Sequence, residues 1–170
     1  MIRKTAIIIG GFGDIGKATA FKFAENGYNL ALTYLNSFDA DFLAELKSFG
    51  TEVLALRCDQ TNESDIINFV KSAITEFKNI DVLVACAGKT EPSEMLIDKS
   101  TEVIDDIIST NLRGTILFNK ETLKHFMDNR HGTIVNVSSI YGKTGGSLES
   151  IYSSCKAGII GLTKSLAVEY

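Results

Sequence analysis

The chain has 170 residues, of which 45% are apolar and 22% are charged, proportions typical of one globular domain. Its seventeen Lys and Arg and twenty-one Asp and Glu give a net charge of −4. Because no block of basic residues occurs, we expect neither nucleic acid nor a membrane surface as a partner. The early apolar run at residues 6–9 is far shorter than the ~20 residues that cross a bilayer, and it is too short for a signal peptide.

Three cysteines, Cys58, Cys86 and Cys155, lie far apart and form no C-x-x-C pair. Together with His125 and His131 they offer no spacing typical of metal ligands. We interpret them as small apolar residues of a protein in the reducing cytoplasm, and we expect no bound metal.

Five short runs rich in aliphatic and β-branched residues predict strands at residues 5–9, 29–34, 52–57, 81–85 and 132–137. The runs are almost continuously apolar, which is typical of parallel strands covered on both faces. Helical patterns occur at residues 15–26, 40–49, 63–77, 101–127 and 151–168. This alternation predicts one α/β domain with a doubly wound parallel sheet of strand order 3-2-1-4-5.

The first predicted strand runs directly into a glycine-rich turn that opens a helix. Gly11, Gly13 and Gly16 satisfy the G-x-G-x-x-G pattern, whose glycines permit a tight turn and close approach of the backbone to a pyrophosphate. The turn therefore predicts a dinucleotide-binding Rossmann fold, with a purely structural glycine turn as the alternative. The cofactor contacts expected here come from Gly10, Gly11, Gly13, Asp14, Ile15 and Gly16.

The same turn also resembles the start of a P-loop, because Gly11 and Gly16-Lys17 have the required spacing. A P-loop needs Ser or Thr at the next position to bind Mg²⁺, and this chain has Ala18. Asp59 could still imitate the acidic Mg²⁺ partner, so an NTPase remains a less favoured alternative.

Tyr152 and Lys156 lie four residues apart, which places a phenol and an ammonium on one helical face. A nearby positive charge favours the phenolate, so Tyr152 can exchange a proton with a carbonyl or alcohol. The alternative is an ordinary surface pair. Upstream, Ser139 follows the fifth predicted strand, and Asn111 interrupts an apolar helix, where it is either functional or a satisfied core amide.

At this point the chain resembles the short-chain dehydrogenase/reductase family over essentially its whole length. Asn111, Ser139, Tyr152 and Lys156 match that family's Asn-Ser-Tyr-Lys tetrad in order and spacing. The resemblance implies that Tyr152 is the general acid/base and that Ser139 polarises the substrate oxygen. It further implies that Lys156 holds the nicotinamide ribose beside Tyr152, and that Asn111 anchors a water in the proton relay.

The resemblance also assigns cofactor contacts to Asp59, which corresponds to an adenine-contacting acid, and to Ala87 and Gly88, the tail of an Asn-Asn-Ala-Gly signature. Cys86 stands where that signature has its second asparagine. Asp14 replaces the middle glycine of the family's Thr-Gly-x-x-x-Gly-x-Gly turn. An acid beside a pyrophosphate is unfavourable unless its side chain turns away.

Within the family, the chain looks most like the 3-oxoacyl-[acyl-carrier-protein] reductases of fatty acid biosynthesis. We therefore expect an NAD(P)H-dependent oxidoreductase that moves hydride between nicotinamide and a carbonyl or alcohol carbon. Its substrate is expected to be a small molecule or an acyl group on a carrier protein. The rival interpretation is a nucleotide-binding protein that keeps the fold without turnover.

The end of the second predicted strand bears on the choice of cofactor. NAD-binding proteins place an acid about 20 residues beyond the glycines, but Asn36 and Ser37 stand here with no carboxylate beside them. Asp39 is interpreted as a helix cap. These residues favour NADP, with NAD as the alternative.

Two expectations concern the later helices. The family resemblance implies that these helices pair across a dimer interface. They also carry more apolar residues than one buried face requires, which predicts a homo-oligomer. These residues include Leu117, Phe118, Phe126, Leu162 and Leu166. The sequence ends inside an apolar helical pattern without a capping glycine or proline, so the domain is expected to be incomplete at the C-terminus. The fifth strand, at residues 132–137, would then be an exposed sheet edge.

Overall fold

The computed structural model describes residues 3–170 and contains a single parallel sheet with helices on both faces. Its strands are β1 Thr5–Ile9, β2 Asn29–Tyr34, β3 Val53–Arg57, β4 Val82–Ala85 and β5 Thr133–Asn136. They pair in the order β3-β2-β1-β4-β5, and every pair is parallel. The doubly wound sheet and its strand order are therefore confirmed.

The helices are α1 Asp14–Glu25, α2 Ala40–Ser48, α3 Glu63–Phe77, α4 Thr101–Ile108, α5 Gly114–Asn129, α6 Tyr141–Thr144 and α7 Ser150–Glu169. The prediction of one helix at residues 101–127 was wrong in one respect, because a π-helical turn, Ser109–Arg113, separates α4 from α5. A short 3₁₀ turn at Leu96–Asp98 and the single turn of α6 were not predicted, since such short segments carry no apolar periodicity.

The core lies in two layers, one on each face of the sheet. Ile7 and Ile9 face α3 and α5, where Phe69 and Phe118 pack edge to face with ring centres 6.2 Å apart. Ile8 belongs to the opposite layer, with α1 and α2. All five residues of β1 are buried. Covering on both faces explains why the strand sequences are almost continuously apolar.

The later helices divide their apolar residues between the core and the surface. Leu117, Phe118 and Phe126 are buried against the sheet, so they do not supply the exposed dimer surface that was expected of them. Leu162 and Leu166 are half-buried beside a groove between α5 and α7. Across residues 3–170, no helix is long and apolar enough to cross a bilayer.

Candidate active site

A cleft of about 530 Å³ opens at the carboxyl ends of β1, β2 and β4. Eight of the residues proposed as cofactor contacts line it, namely Gly10, Gly13, Asp14, Ile15, Gly16, Asp59, Ala87 and Gly88. The other proposed contacts lie outside its lining, namely Gly11, Asn36, Ser37, Tyr152 and Lys156. Asn36 and Ser37 are exposed and directly follow Leu35, which lines the cleft. The cleft is the place where ligands of open α/β sheets bind.

Two positions of the glycine turn, Gly10 and Gly16, have no room for a side chain. A Cβ on Gly16 would lie 2.0 Å from the carbonyl oxygen of Gly10, and a Cβ on Gly10 would lie 2.8 Å from the Cα of Ala87. Gly10 also has a φ of +72°, and its N–H donates to Thr33 Oγ1 at 2.8 Å. The turn therefore brings the start of α1 directly against β1 and β4. The part played by Thr33 was not anticipated from the sequence.

The N-terminus of α1 points its first turn toward this cleft. Gly13 is the N-cap and supplies no side-chain hydrogen bond, which leaves the first N–H groups of the helix available to an acceptor. Such a terminus attracts anions. Asp14, the first residue of α1, is exposed and lines the same cleft, so a carboxylate lies beside these donors.

Three further residues of the cleft have ionisable side chains, namely Asp59, Cys86 and Cys58. Asp59 accepts from the N–H and the hydroxyl of Thr61 at 2.9 and 2.7 Å, and these bonds hold the pKa of its carboxyl below the ordinary value. Burial raises the pKa of the Cys86 thiol, and it raises the pKa of Cys58 to about 12. Both thiols are therefore protonated at neutral pH and are poor nucleophiles.

Tyr152 and Lys156 occupy the first half of α7, as their spacing predicts. The Lys156 Nζ lies 5.5 Å from the centre of the Tyr152 ring and donates to the carbonyl oxygen of Val137 at 2.9 Å. Lys156 is 4% exposed, and burial lowers its pKa from the ordinary lysine value. The ammonium is thus held between the end of β5 and the phenol. Because Lys156 is buried, the two residues do not form an ordinary surface pair.

Ser139 lies in the turn that leads from β5 into α6. Its Oγ accepts from the N–H of Tyr141 at 3.2 Å, and the neighbouring Ser138 hydroxyl donates to the carbonyl oxygen of Lys156 at 2.7 Å. A Cβ on Gly142 would lie 2.7 Å from the carbonyl carbon of Lys156, so α6 packs closely on α7. Ser138 and Ser139 are adjacent in the sequence, and this pair of hydroxyl residues is the sequence feature that could have indicated the contact with α7.

Asn111 is completely buried in the π-helical turn. Its Nδ2 donates to the carbonyl oxygens of Lys89 and Ile107 at 2.9 and 3.1 Å, and its Oδ1 accepts from the N–H of Lys89 at 2.9 Å. A Cβ on Gly88 would lie 2.6 Å from Asn111 Oδ1 and 3.6 Å from Lys156 Nζ. Asn111 is therefore a satisfied core amide that also lies near the lysine.

Comparison with known proteins decides the family. A model of the short chain dehydrogenase family matches residues 4–170. The chain belongs to the short-chain dehydrogenase family. This membership, together with Ala18 at the Mg²⁺-binding position of the P-loop pattern, argues against the NTPase alternative.

Several relatives of this short-chain dehydrogenase are reductases or dehydrogenases. It is 34% identical over 170 residues to a 3-oxoacyl-[acyl-carrier-protein] reductase of Staphylococcus epidermidis, covering 99% of the chain and 69% of the relative. It is 36% identical over 167 residues to a cis-4-hydroxycyclohexanecarboxylate dehydrogenase of Sinomonas cyclohexanicum, covering 98% and 67%. The chain thus spans about two thirds of the length of these relatives.

Solved structures agree with this assignment. The fold superimposes with a TM-score of 0.91 on NAD⁺-bound xylitol dehydrogenase, at 28% identity and covering 99% of this chain and 65% of that one. It gives the same TM-score of 0.91 with an actinorhodin polyketide ketoreductase bound to NADPH, at 27% identity and covering 98% and 65%. The family is one of NAD(P)-dependent oxidoreductases, and either nucleotide occurs among its members.

Proposed function

We propose that this short-chain dehydrogenase interconverts a carbonyl compound and its alcohol with a nicotinamide cofactor. The observation that carries the proposal is the buried Lys156 ammonium 5.5 Å from the Tyr152 ring centre. The phenol thus lies beside a fixed cation, in a place that suits Tyr152 to exchange a proton with a substrate oxygen.

Each tetrad residue has a role in this proposal. Tyr152 gives a proton to the carbonyl oxygen during reduction and takes it back during oxidation. Ser139 orients and polarises that oxygen, while Lys156 supports the phenol and binds the ribose next to the nicotinamide. Asn111 anchors a water for proton exchange with solvent. A nicotinamide cofactor held by the cleft residues would supply the hydride for reduction and accept it in oxidation.

The cleft residues fit a dinucleotide. Gly10 and Gly16 permit the tight turn that brings the start of α1 to the cleft, because a Cβ at either would collide with neighbouring backbone. The uncapped N-terminus of α1 offers donors for the pyrophosphate. Asp59 would bind the adenine amino group, which suits its ionised carboxylate.

NADP is the proposed cofactor. Residues 34–38, at the end of β2, contain no carboxylate that would repel a 2′-phosphate. The nearby Asp39 caps α2, as expected, by accepting from the N–H of Phe42 at 2.9 Å, and Lys17 occupies its other oxygen at 2.6 Å. Titration of both nucleotides tests this preference. An affinity for NAD more than about tenfold above that for NADP, about 1.4 kcal/mol, would contradict it.

The proposed substrate is a 3-oxoacyl group on a carrier protein, which would place the enzyme in fatty acid biosynthesis in the cytoplasm. The similarity to staphylococcal 3-oxoacyl-[acyl-carrier-protein] reductases supports this choice. The similarity to a cyclic hydroxy acid dehydrogenase supports a small-molecule substrate instead. A substrate panel is therefore the decisive experiment.

That experiment measures oxidation of NADPH by the full-length protein with 3-oxoacyl thioesters, cyclic ketones and keto sugars. Turnover of any of them that disappears in Tyr152→Phe supports the reaction, and the preferred compound identifies the substrate class. Absence of turnover with all of them, despite tight cofactor binding, would instead support the rival function of nucleotide binding without catalysis.

We also propose that the protein forms a homo-oligomer through α5 and α7. An open groove between these helices is lined by Leu123, Met127, Leu162, Leu166 and Tyr170, among others. Met127 and Tyr170 are more than half exposed there. Exposed apolar surface of this kind is typical of a site that is buried against another protein chain. Light scattering that finds only monomer at micromolar concentration would count against association.

A further inference from the structure

A buried ion pair between Glu91 and Lys99 lies beside the start of the helix that carries Tyr152. Both side chains are 0% exposed, and Glu91 Oε2 lies 3.0 Å from Lys99 Nζ. Removing two charges from water costs free energy that their attraction does not reliably recover, so such a pair is weak evidence for stability. The other contacts of the two side chains therefore indicate what the pair does.

Glu91 contacts the backbone of the tyrosine itself. Its Oε1 accepts a hydrogen bond from the N–H of Tyr152 at 2.7 Å, across 61 positions of sequence. Tyr152 is the third residue of α7, where the N–H is normally bonded by the side chain of the N-cap residue. The N-cap, Glu149, supplies no such bond. Glu91 therefore caps α7 from a different segment of the chain.

Lys99 holds the segment that leads into α7. Its Nζ donates to the carbonyl oxygens of Pro92 and Leu148 at 2.6 and 3.4 Å, in addition to its ion pair with Glu91. Leu148 has a φ of +62°, a left-handed conformation that is unusual for leucine. Lys99 thus contacts both the carboxylate that caps α7 and the strained residue just before that helix.

We propose that Glu91 is a positioning residue that fixes the start of α7 and thereby the place of the Tyr152 phenol during proton transfer, and that Lys99 compensates its buried charge. This inference rests on the proposed function, because it gives Glu91 a part in that reaction. Glu91 acts through the backbone of Tyr152. A shift of about 1 Å in a catalytic group can lower the rate about 100-fold, so the start of this helix must be well defined.

Two double variants separate the hydrogen bond from the buried charges. Glu91→Gln with Lys99→Met removes both charges but keeps an oxygen that can accept from the Tyr152 N–H. Glu91→Leu with Lys99→Met removes the acceptor as well. Neither variant leaves a single buried charge, which would destabilise the fold by itself. The exposed pair Lys22–Glu25 supplies the matched control, Lys22→Met with Glu25→Gln.

We expect kcat of the Leu/Met variant to fall about 30-fold below that of the Gln/Met variant, with KM and cofactor affinity changed less than about twofold. The Gln/Met variant and the surface control should retain wild-type kcat within about threefold. A second readout needs no turnover. In protein labelled with ¹⁵N-tyrosine, the Tyr152 amide, assigned through its loss in Tyr152→Phe, should exchange more than about tenfold faster in the Leu/Met variant.

Equal kcat and equal amide exchange in the two double variants would overturn the proposal. If the Leu/Met variant does not fold, Glu91→Asp takes its place, because it keeps the charge but shortens the reach to the Tyr152 N–H. Wild-type kcat and exchange in Glu91→Asp would also overturn it. If the wild-type protein reduces no carbonyl compound, the proposed function fails, and the exchange measurement still decides whether Glu91 fixes the start of α7.

Discussion

The Lys156 ammonium lies 5.5 Å from the centre of the Tyr152 ring, one helical turn away on α7. Lys156 is held there by a hydrogen bond of 2.9 Å to the carbonyl oxygen of Val137 and by its burial. Because β5 ends at Asn136, this bond connects α7 to the end of the sheet. The pair therefore combines a phenol, an ammonium and a fixed scaffold.

Replacing Tyr152 by Phe should lower kcat by about 100-fold or more, because the proton donor is lost while the ring and its packing remain. Cofactor affinity should change by less than about twofold, since the cleft lining does not include Tyr152. Steady-state kinetics and fluorescence titration measure the two quantities. Tyr28→Phe is the control, because that ring packs against Phe23 at 4.9 Å in the opposite part of the fold. Full turnover by Tyr152→Phe would disprove the assigned role.

Gly16→Ala should lower the free energy of unfolding by about 3 kcal/mol and weaken cofactor binding. The new Cβ would lie 2.0 Å from the carbonyl oxygen of Gly10, and backbone there cannot move without opening the turn. Gly161→Ala is the matched control within a helix. Nothing lies within 4 Å of its new Cβ, so this change should raise stability by up to about 1 kcal/mol. Urea unfolding measures both, and equal effects would contradict the packing argument.

Asp14→Asn should tighten cofactor binding by about fivefold at low ionic strength, because it removes a negative charge beside the expected pyrophosphate site. The gain should shrink as salt screens the interaction. Asp41→Asn, in the first turn of α2, is the control, since Asp41 does not line the cleft. Titration at two salt concentrations measures the effect. Unchanged affinity at low salt would mean that the Asp14 carboxylate turns away from the phosphates.

Stability should fall as the pH is lowered through the histidine range, and His125 should account for part of the loss. Burial lowers the pKa of His125, so between its folded value and about 6.5 the unfolded chain binds more protons. Stability from this group is therefore complete above that window and is lost toward acid. His125 Nε2 accepts from the N–H of Ile80 at 3.1 Å, a bond that a protonated ring cannot make.

Urea unfolding at about pH 5 and pH 7.5 checks this prediction, since the histidine range lies between these values. His125→Gln should show a smaller difference between the two pH values than the wild type. The other histidine of the chain supplies the control, His131→Gln, whose side chain is 59% exposed. An unchanged pH dependence in His125→Gln would show that this imidazole does not contribute.

Local sequence pattern was sufficient for the sheet and for the main helices. Apolar runs identify strands, because a strand covered on both faces has no polar side, and amphipathic spacing identifies helices. The strand order followed from the right-handed crossover of alternating strands and helices. The glycine turn and the Tyr152–Lys156 pair were also visible, since each lies within a few residues of sequence.

Contacts between distant segments were decided only by the tertiary structure. The π-helical turn contains Asn111, whose side chain bonds to the distant Lys89, whereas the local sequence pattern there stays helical. The hydrogen bond that caps the Tyr152 N–H comes from Glu91. Neither Glu91 nor Lys99 lies in a segment with apolar periodicity, so the sequence pattern does not predict that they are buried. A hydrogen bond across 61 positions depends on how the sheet brings its loops together. Periodicity over a few residues contains no information about that arrangement.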